Sequence, residues 1–319
     1  LKHLSKMIDD INIGVVGTGK LGSFHIQKLL NIPNVNLVGI YDSNKELMRV
    51  HEEKYNIEAF DEVGKLMERC DAITIATPTT EHFNVSKYAL ENGLHIFIEK
   101  PITNKLEDAF KISDIAKENN KIVQVGHIER FNSAFTESLN YIDNPQFIEI
   151  HRISPFPNRS LDIPVVMDIM IHDLDILLSI TKNNSIKKID ATGASVVTNF
   201  IDLANARIEF DNGLVANLTA SRISAKQMRK IRIFQPKSYL GIDLLDKKID
   251  FFEIIDGKDD FIDNKTLKFE NSDALEAELR HFIDCVKNNR KPLVSAEDGI
   301  LALELGLKIE ELINQKREI

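Results

Sequence analysis

The sequence has no tryptophan and only two cysteines, Cys70 and Cys285. Two isolated thiols make neither a disulfide framework nor the Cys/His spacing of a metal site, and they suit a reducing compartment. There is no excess of positive charge: 40 Lys and Arg stand against 49 Asp and Glu, a formal net charge of −9. A nucleic-acid binder normally carries a basic surface, which argues against that class. A local group of Arg could still oppose the global sign and take a small anion. Long apolar runs are missing as well. A membrane span needs ~18 or more consecutive apolar residues. The richest stretch, residues 163–180, is broken by Asp168, His172, Asp173 and Asp175. Residues 1–10 are too polar for a secretory signal, and Met7 is a possible initiator in a sequence that begins with Leu. A cytoplasmic setting is expected.

With 319 residues, 43% apolar and 28% charged, the chain can bury two ordinary cores. Its first third alternates short apolar runs with helical patterns. Strands are expected at 11–16, 35–41, 71–76, 94–98 and 122–125, and helices at 21–30, 45–54, 81–91 and 106–118. Strand then helix, repeated, predicts a doubly wound parallel sheet. After residue 127 the text changes. A helix is expected at 130–141, a strand at 147–153, and an apolar helix from Pro164 to about residue 180. Six strands should follow, at 189–197, 204–210, 214–221, 230–234, 239–244 and 249–252, with Asp211-Asn212-Gly213 turning one hairpin. Helices at 274–288 and 295–316 close the chain, the second opened by a Ser295/Asp298 capping box. The fold class is therefore α/β: a Rossmann-type parallel sheet in 1–127, then an α+β domain in 128–319 on a large open, mostly antiparallel sheet.

Gly17-Thr18-Gly19-Lys20-Leu21-Gly22 lies between the first strand and the first helix. The first Gly allows the tight turn, the second leaves room for a pyrophosphate, and the third lets helix and strand approach. Amides at the helix start then face the phosphates. Asp42 lies twenty residues beyond Gly22, at the end of the second strand. An acid there suits ribose hydroxyls and repels a 2′-phosphate, which favours NAD. The bland alternative is an empty strand–turn–helix with Asp42 capping the next helix. Ala76-Thr77-Pro78-Thr79 ends the third strand at the ligand-facing edge, either lining the dinucleotide or capping a helix. His82 is grouped with that edge, although a surface helix residue is the simpler reading.

Glu99-Lys100-Pro101 ends the fourth strand. Lys100 would project over the same edge, where a cation stabilises a developing alkoxide. Asp168 and His172, four apart on the Pro164 helix, share one face. They read as a satisfied core pair or as an oriented general base.

Together the glycine motif, Glu99-Lys100-Pro101 and the Asp-x-x-x-His helix before an antiparallel sheet resemble the Gfo/Idh/MocA oxidoreductases, over essentially the whole chain. The resemblance implies catalytic positions at Lys100, Asp168 and His172, and an open sheet that joins subunits into a homodimer or homotetramer. Residues 164–167, Pro-Val-Val-Met, stand where many members have glycines. A narrower resemblance, in residues 126–132 and 167–175, is to the branch that oxidises the 3-hydroxyl of UDP-N-acetylglucosamine ahead of an aminotransferase in lipid A synthesis. It implies a UDP-sugar substrate near His127 and Arg130. Arg152, Arg159 and Arg222 are candidates for its diphosphate, each equally readable as surface charge. A free polyol, inositol or aldose is the alternative substrate. A non-catalytic dinucleotide-sensing protein is the alternative of another class.

Overall fold

The computed structural model describes residues 10–156, 163–181, 184–254, 262–269 and 272–317. The chain divides into two compact units, one of residues up to His127 together with Leu275–Ile300, the other of Ile128–Ala274 and Leu301–Ile319.

In the first unit the order is β1 (Ile11–Val16), α1 (Lys20–Leu29), β2 (Val35–Tyr41), α2 (Lys45–Tyr55), α3 (Val63–Met67), β3 (Ala72–Ile75), α4 (Thr79–Glu91), β4 (His95–Glu99), α5 (Leu106–Glu118) and β5 (Val123–Gly126). The five strands form one parallel sheet in the order β2-β1-β3-β4-β5. Every residue of β3 and β5 is buried, as a sheet covered on both faces requires. Helix α3 was not expected from sequence; five residues are too few to show a helical period. The core joins Ile13, Val15, Ile26, Leu29, Ile40 and Phe97 to Leu279, Phe282 and Ile283. Those last three come from α8 (Ala274–Asn288). The two units meet at His127 and Ile128, and Leu275–Ile300, expected in the second domain, lies with the first unit, because the apolar face of α8 is buried there.

The second unit opens with a 3₁₀ turn (Ile128–Phe131), α6 (Ser133–Ser138) and a second 3₁₀ turn (Leu139–Tyr141). The single helix expected here is broken because Asn132 leaves the helical conformation to cap α6, its Oδ1 accepting from the Ala134 amide at 3.1 Å. Then come β6 (Phe147–Ile153), a π-helical turn (Val166–Met170) running into α7 (Ile171–Ile180), and strands β7 (Ile186–Ala194), β8 (Leu203–Phe210), β9 (Val215–Ser221), β10 (Met228–Gln235), β11 (Ser238–Asp243), β12 (Lys248–Ile254) and β13 (Ile262–Lys268). Helix α9 (Ala296–Arg317) ends the chain. Its capping box forms, with the Ser295 amide 2.8 Å from Asp298 Oδ2.

The eight-stranded sheet runs β13-β12-β11-β10-β6-β9-β8-β7 and is antiparallel except where β6 lies parallel to β9. Residues 211–213 make the β8–β9 hairpin with Gly213 at φ +89°, a conformation that favours glycine. Strand β13 escaped the sequence reading because its apolar residues are few, as suits an edge. One face of the sheet buries Ile148, Ile150, Ala204, Ala206, Ile208, Leu218, Ile231 and Leu240. The π turn packs against β9 on this side. The opposite face, with Glu149, His151, Asn205, Asn217 and Arg232, stays partly exposed.

Candidate cofactor and active site

The glycine loop is shaped by crowding at two positions and by space at a third. Gly17 sits at φ +90°, and a Cβ there would come within 2.6 Å of the Ala76 carbonyl carbon. A Cβ on Gly22 would collide with the Gly17 carbonyl oxygen. On Gly19 it would meet nothing within 4 Å among the described residues. The first-turn amides of α1 have no side-chain cap, so the helix presents them at the open glycine, as an anion site requires. Lys20 and Leu21 are exposed at the start of α1.

Thr18 is fully buried and donates its amide (2.6 Å) and hydroxyl (3.0 Å) to Asp42 Oδ2. Asp42 Oδ1 accepts the Asn44 amide at 2.8 Å. The N-cap of α2 is Asn44, whose Oδ1 accepts from Leu47. Asp42 is thus a partly exposed carboxylate aimed by the loop, with a helix cap already supplied by its neighbour.

At the next two strand ends, Ala76, Thr77 and Thr79 are partly buried and Pro78 is exposed. His82 needs correction on both earlier counts. It is 1% exposed, so it is no surface residue. Its ring meets Pro101 O through Nδ1 (2.9 Å) and Thr77 O through Nε2 (3.0 Å), which leaves neither nitrogen for a dinucleotide. Burial pushes its pKa below the ordinary histidine value, against the pull of both carbonyls and of Glu99. Glu99 is also turned inward, its Oε1 2.9 Å from Nε2 of the fully buried His25. His25 was missed in the sequence. Its only signal was an imidazole on the apolar face of α1. Lys100 is partly exposed, and the Lys100–Pro101 peptide is cis.

In the second unit, Asp168 lies in the π turn and His172 in the first turn of α7. Both are partly exposed, whereas Met167, Met170, Ile171, Asp173 and Asp175 around them are buried. The π turn adds a residue to the helical repeat, a feature frequent at functional sites. It brings the two predicted residues to the accessible side of an otherwise buried helix.

The arginines require the largest correction. Arg152 is buried between Glu129 Oε1 (2.7 Å) and Asp173 Oδ1 (2.7 Å). Arg130 is buried against Asp175 at 3.2 Å. Arg222 is fully buried, with Nε 2.8 Å from Asp202 Oδ1 and Nη1 2.7 Å from Ile163 O. Each guanidinium neutralises a buried carboxylate and is not presented to a diphosphate. Burial would raise the Glu129 carboxyl, but Arg152 and Arg229 outweigh it and hold it below the usual range. Asp202 is likewise held low against its burial, by the amides of Thr198, Val197 and Val196. His127 is buried one residue past β5. Arg159 lies outside the described residues.

Comparison with known proteins agrees with this geometry. Residues 11–127 match the oxidoreductase family, NAD-binding Rossmann fold, and residues 124–238 match the GFO/IDH/MocA C-terminal domain. The chain is 34% identical to UDP-N-acetylglucosamine 3-dehydrogenase of Acidithiobacillus ferrooxidans, across 93% of this chain and 95% of that protein. It is 28% identical to scyllo-inositol 2-dehydrogenase (NAD(+)) of Bacillus subtilis, across 94% and 93%. A solved structure of the Acidithiobacillus enzyme superposes with a TM-score of 0.90 at 33% identity, covering 95% of this chain and 98% of that one. The open cradle at Gly19, the uncapped start of α1 and the loop-held Asp42 fit the dinucleotide of the matched NAD-binding family. The chain belongs to the Gfo/Idh/MocA family of NAD-dependent dehydrogenases.

Proposed function

We propose that the protein oxidises the 3-hydroxyl of a UDP-N-acetyl amino sugar to a ketone. The observation that carries this is the end-to-end similarity to UDP-N-acetylglucosamine 3-dehydrogenase, which exceeds that to the inositol dehydrogenase. The same reading takes the start of α1 to hold the NAD pyrophosphate and Asp42 to hold the adenosine ribose, with Ala76, Thr77 and Thr79 beside the dinucleotide. Bound NAD supplies the hydride acceptor. His172 removes the hydroxyl proton, Asp168 orients it, and Lys100 stabilises the oxygen as charge develops. Supporting these roles, His172 and Asp168 are partly exposed polar residues of an otherwise buried helical segment, and Lys100 follows β4 next to Pro101, whose carbonyl meets the same His82 ring as that of Thr77.

With Arg130, Arg152 and Arg222 engaged internally, Arg159 remains the arginine proposed for the substrate diphosphate, with His127 near the sugar. The ketone product suits a partner aminotransferase. Self-association is assigned to the open sheet face, where Phe147, Phe234, Tyr239 and Phe252 form a row of ring contacts 5.1–5.9 Å apart across four strands. Among the described residues no helix is long and apolar enough to cross a membrane, and we place the reaction in the cytoplasm.

A second reading, oxidation of a free inositol, rests on the 28% identity to the scyllo-inositol enzyme. A panel of UDP-N-acetylglucosamine, UDP-glucose, free N-acetylglucosamine and inositols, followed by NADH absorbance, separates the two. Turnover of UDP-N-acetylglucosamine alone supports the first; oxidation of inositols without UDP-sugars overturns it.

A further inference from the structure

Two buried imidazoles bracket Lys100. On one side, His25 of α1 is fully buried and lies 2.9 Å from Glu99 Oε1. Its Nδ1 is buried and meets no hydrogen-bond partner among the described residues. A carboxylate only accepts, so Nε2 is the donor in the contact with Glu99. Phe97 meets the ring edge-on at 5.3 Å and fixes its plane. Across the sheet, Gly126 leaves room for the carboxylate, since a Cβ there would come within 2.9 Å of Glu99 Oε2. The residue before Lys100 is thus pinned by its side chain.

On the other side, His82 of α4 pins the residue after Lys100 by its backbone. Nδ1 faces Pro101 O and Nε2 faces Thr77 O, both at hydrogen-bond distance. A carbonyl oxygen only accepts, and a neutral imidazole has one N–H. An uncharged His82 therefore satisfies one carbonyl and sets a lone pair against the other. With the proton on Nδ1 it holds the Lys100–Pro101 turn. With the proton on Nε2 it holds the Thr77 segment, beside the dinucleotide edge.

We propose that His25 and His82 are positioning residues that clamp the Lys100 turn from both sides, and that His82 divides its hold between that turn and the Thr77 segment. This rests on Lys100 being the group that meets the substrate oxygen, as read above. Neither imidazole touches substrate. Each fixes the backbone from which Lys100 projects, where a displacement of about 1 Å can cost ~100-fold in rate.

The test uses the full-length enzyme and asks each hold to fail separately. His82→Asn keeps a donor near the Nδ1 position, toward Pro101 O. His82→Gln keeps one near Nε2, toward Thr77 O. His82→Ala keeps neither. The Ala variant should lose kcat by roughly 10- to 100-fold and raise the NAD KM several-fold. Asn should recover most of kcat while the NAD KM stays high. Gln should recover the NAD KM while kcat stays low. His25→Ala should lower kcat with little change in the NAD KM, and His25→Gln, with a donor toward Glu99, should restore it. A role confined to stability would lower Tm in all variants without this split. Asn and Gln behaving alike, or Ala variants keeping kcat within about twofold of wild type, overturns the clamp. Hydrogen exchange in residues 76–80 and 99–105 is read in parallel and needs no substrate. If wild type oxidises no UDP-sugar, the substrate reading fails by itself. The clamp is then decided by whether Asn protects 99–105 and Gln protects 76–80, equal exchange in the two variants overturning it.

Discussion

Thr18 gives both its amide and its hydroxyl to one oxygen of Asp42, 24 residues away, at 2.6 and 3.0 Å. With the Asn44 amide on the other oxygen, three protein donors occupy a group with about four acceptor sites. The carboxylate is thereby held in one orientation by the protein itself. Asp42→Ala should raise the NAD KM by roughly 10- to 100-fold, and it should narrow the preference for NAD over NADP because the charge opposing a 2′-phosphate is gone. Initial rates with both cofactors check this; an unchanged NAD KM would remove Asp42 from the cofactor site.

Gly19 and Gly17 should separate binding from folding. A Cβ on Gly19 meets no atom of the described residues within 4 Å, so Gly19→Ala should melt within a degree or two of wild type while losing at least about tenfold in NAD affinity. Gly17→Ala meets the Ala76 backbone and a positive φ, so it should lose stability. Calorimetry and NADH fluorescence titration give the two readouts. Equal effects on both in both variants would contradict the assignment.

Lys100→Ala and His172→Ala should each lower turnover by roughly 1,000-fold or more, as expected for a lost charge stabiliser or a lost base, with NAD affinity largely intact. Stopped-flow hydride transfer with the UDP-sugar distinguishes the chemical step from binding. Near-normal turnover in either variant would exclude that residue from the reaction.

Asp202 accepts the amides of Val196, Val197 and Thr198 and pairs with the fully buried Arg222. Asp202→Ala strands a guanidinium in the interior and should cost about 3–5 kcal/mol of stability. Because the folded carboxyl is held below its ordinary value, its contribution is present above the usual carboxylate range and is lost only on acidification. Urea melts at neutral pH and in acid should show the wild-type advantage shrinking in acid.

Glu310 has the opposite sign. Burial pushes its carboxyl up to about 7. The folded chain keeps a proton that the unfolded chain has released, so stability is full below the ordinary Glu range and falls as pH rises through 7. Glu310→Gln should leave Tm unchanged at about pH 4 and raise stability at about pH 8 by on the order of 2 kcal/mol. A gain of the same size at both pH values would contradict the account.

The Rossmann frame and its glycine turn were legible because their determinants are local. Strand, glycine turn, helix and acid follow one another within residues 11–42, and short-range sterics dictate the turn. The π turn was not legible, since residues 164–180 have the composition of a plain apolar helix. Nor were the edge strand β13 and the return of Leu275–Ile300 to the first unit. Both depend on which surface an amphipathic segment finds, and the segment's own period does not encode that.

Arg130, Arg152 and Arg222 show the boundary most clearly. An arginine's sequence neighbourhood states its charge and reach but not its partner, and a phosphate and a buried carboxylate are equivalent partners for the same fork. Asp175, Asp173 with Glu129, and Asp202 take those forks after sheet and helix have packed, from positions 20 to 45 residues away. His25 and His82 follow the same rule, since Glu99 and Pro101 meet them across 74 and 19 residues. The sequence alone determined the dinucleotide loop, the parallel and antiparallel halves and the polar residues of the Pro164 segment, because backbone sterics and apolar periodicity act over a few residues. Tertiary structure decided which charges are available to a ligand, because burial and pairing are set by residues the chain brings together only when it folds.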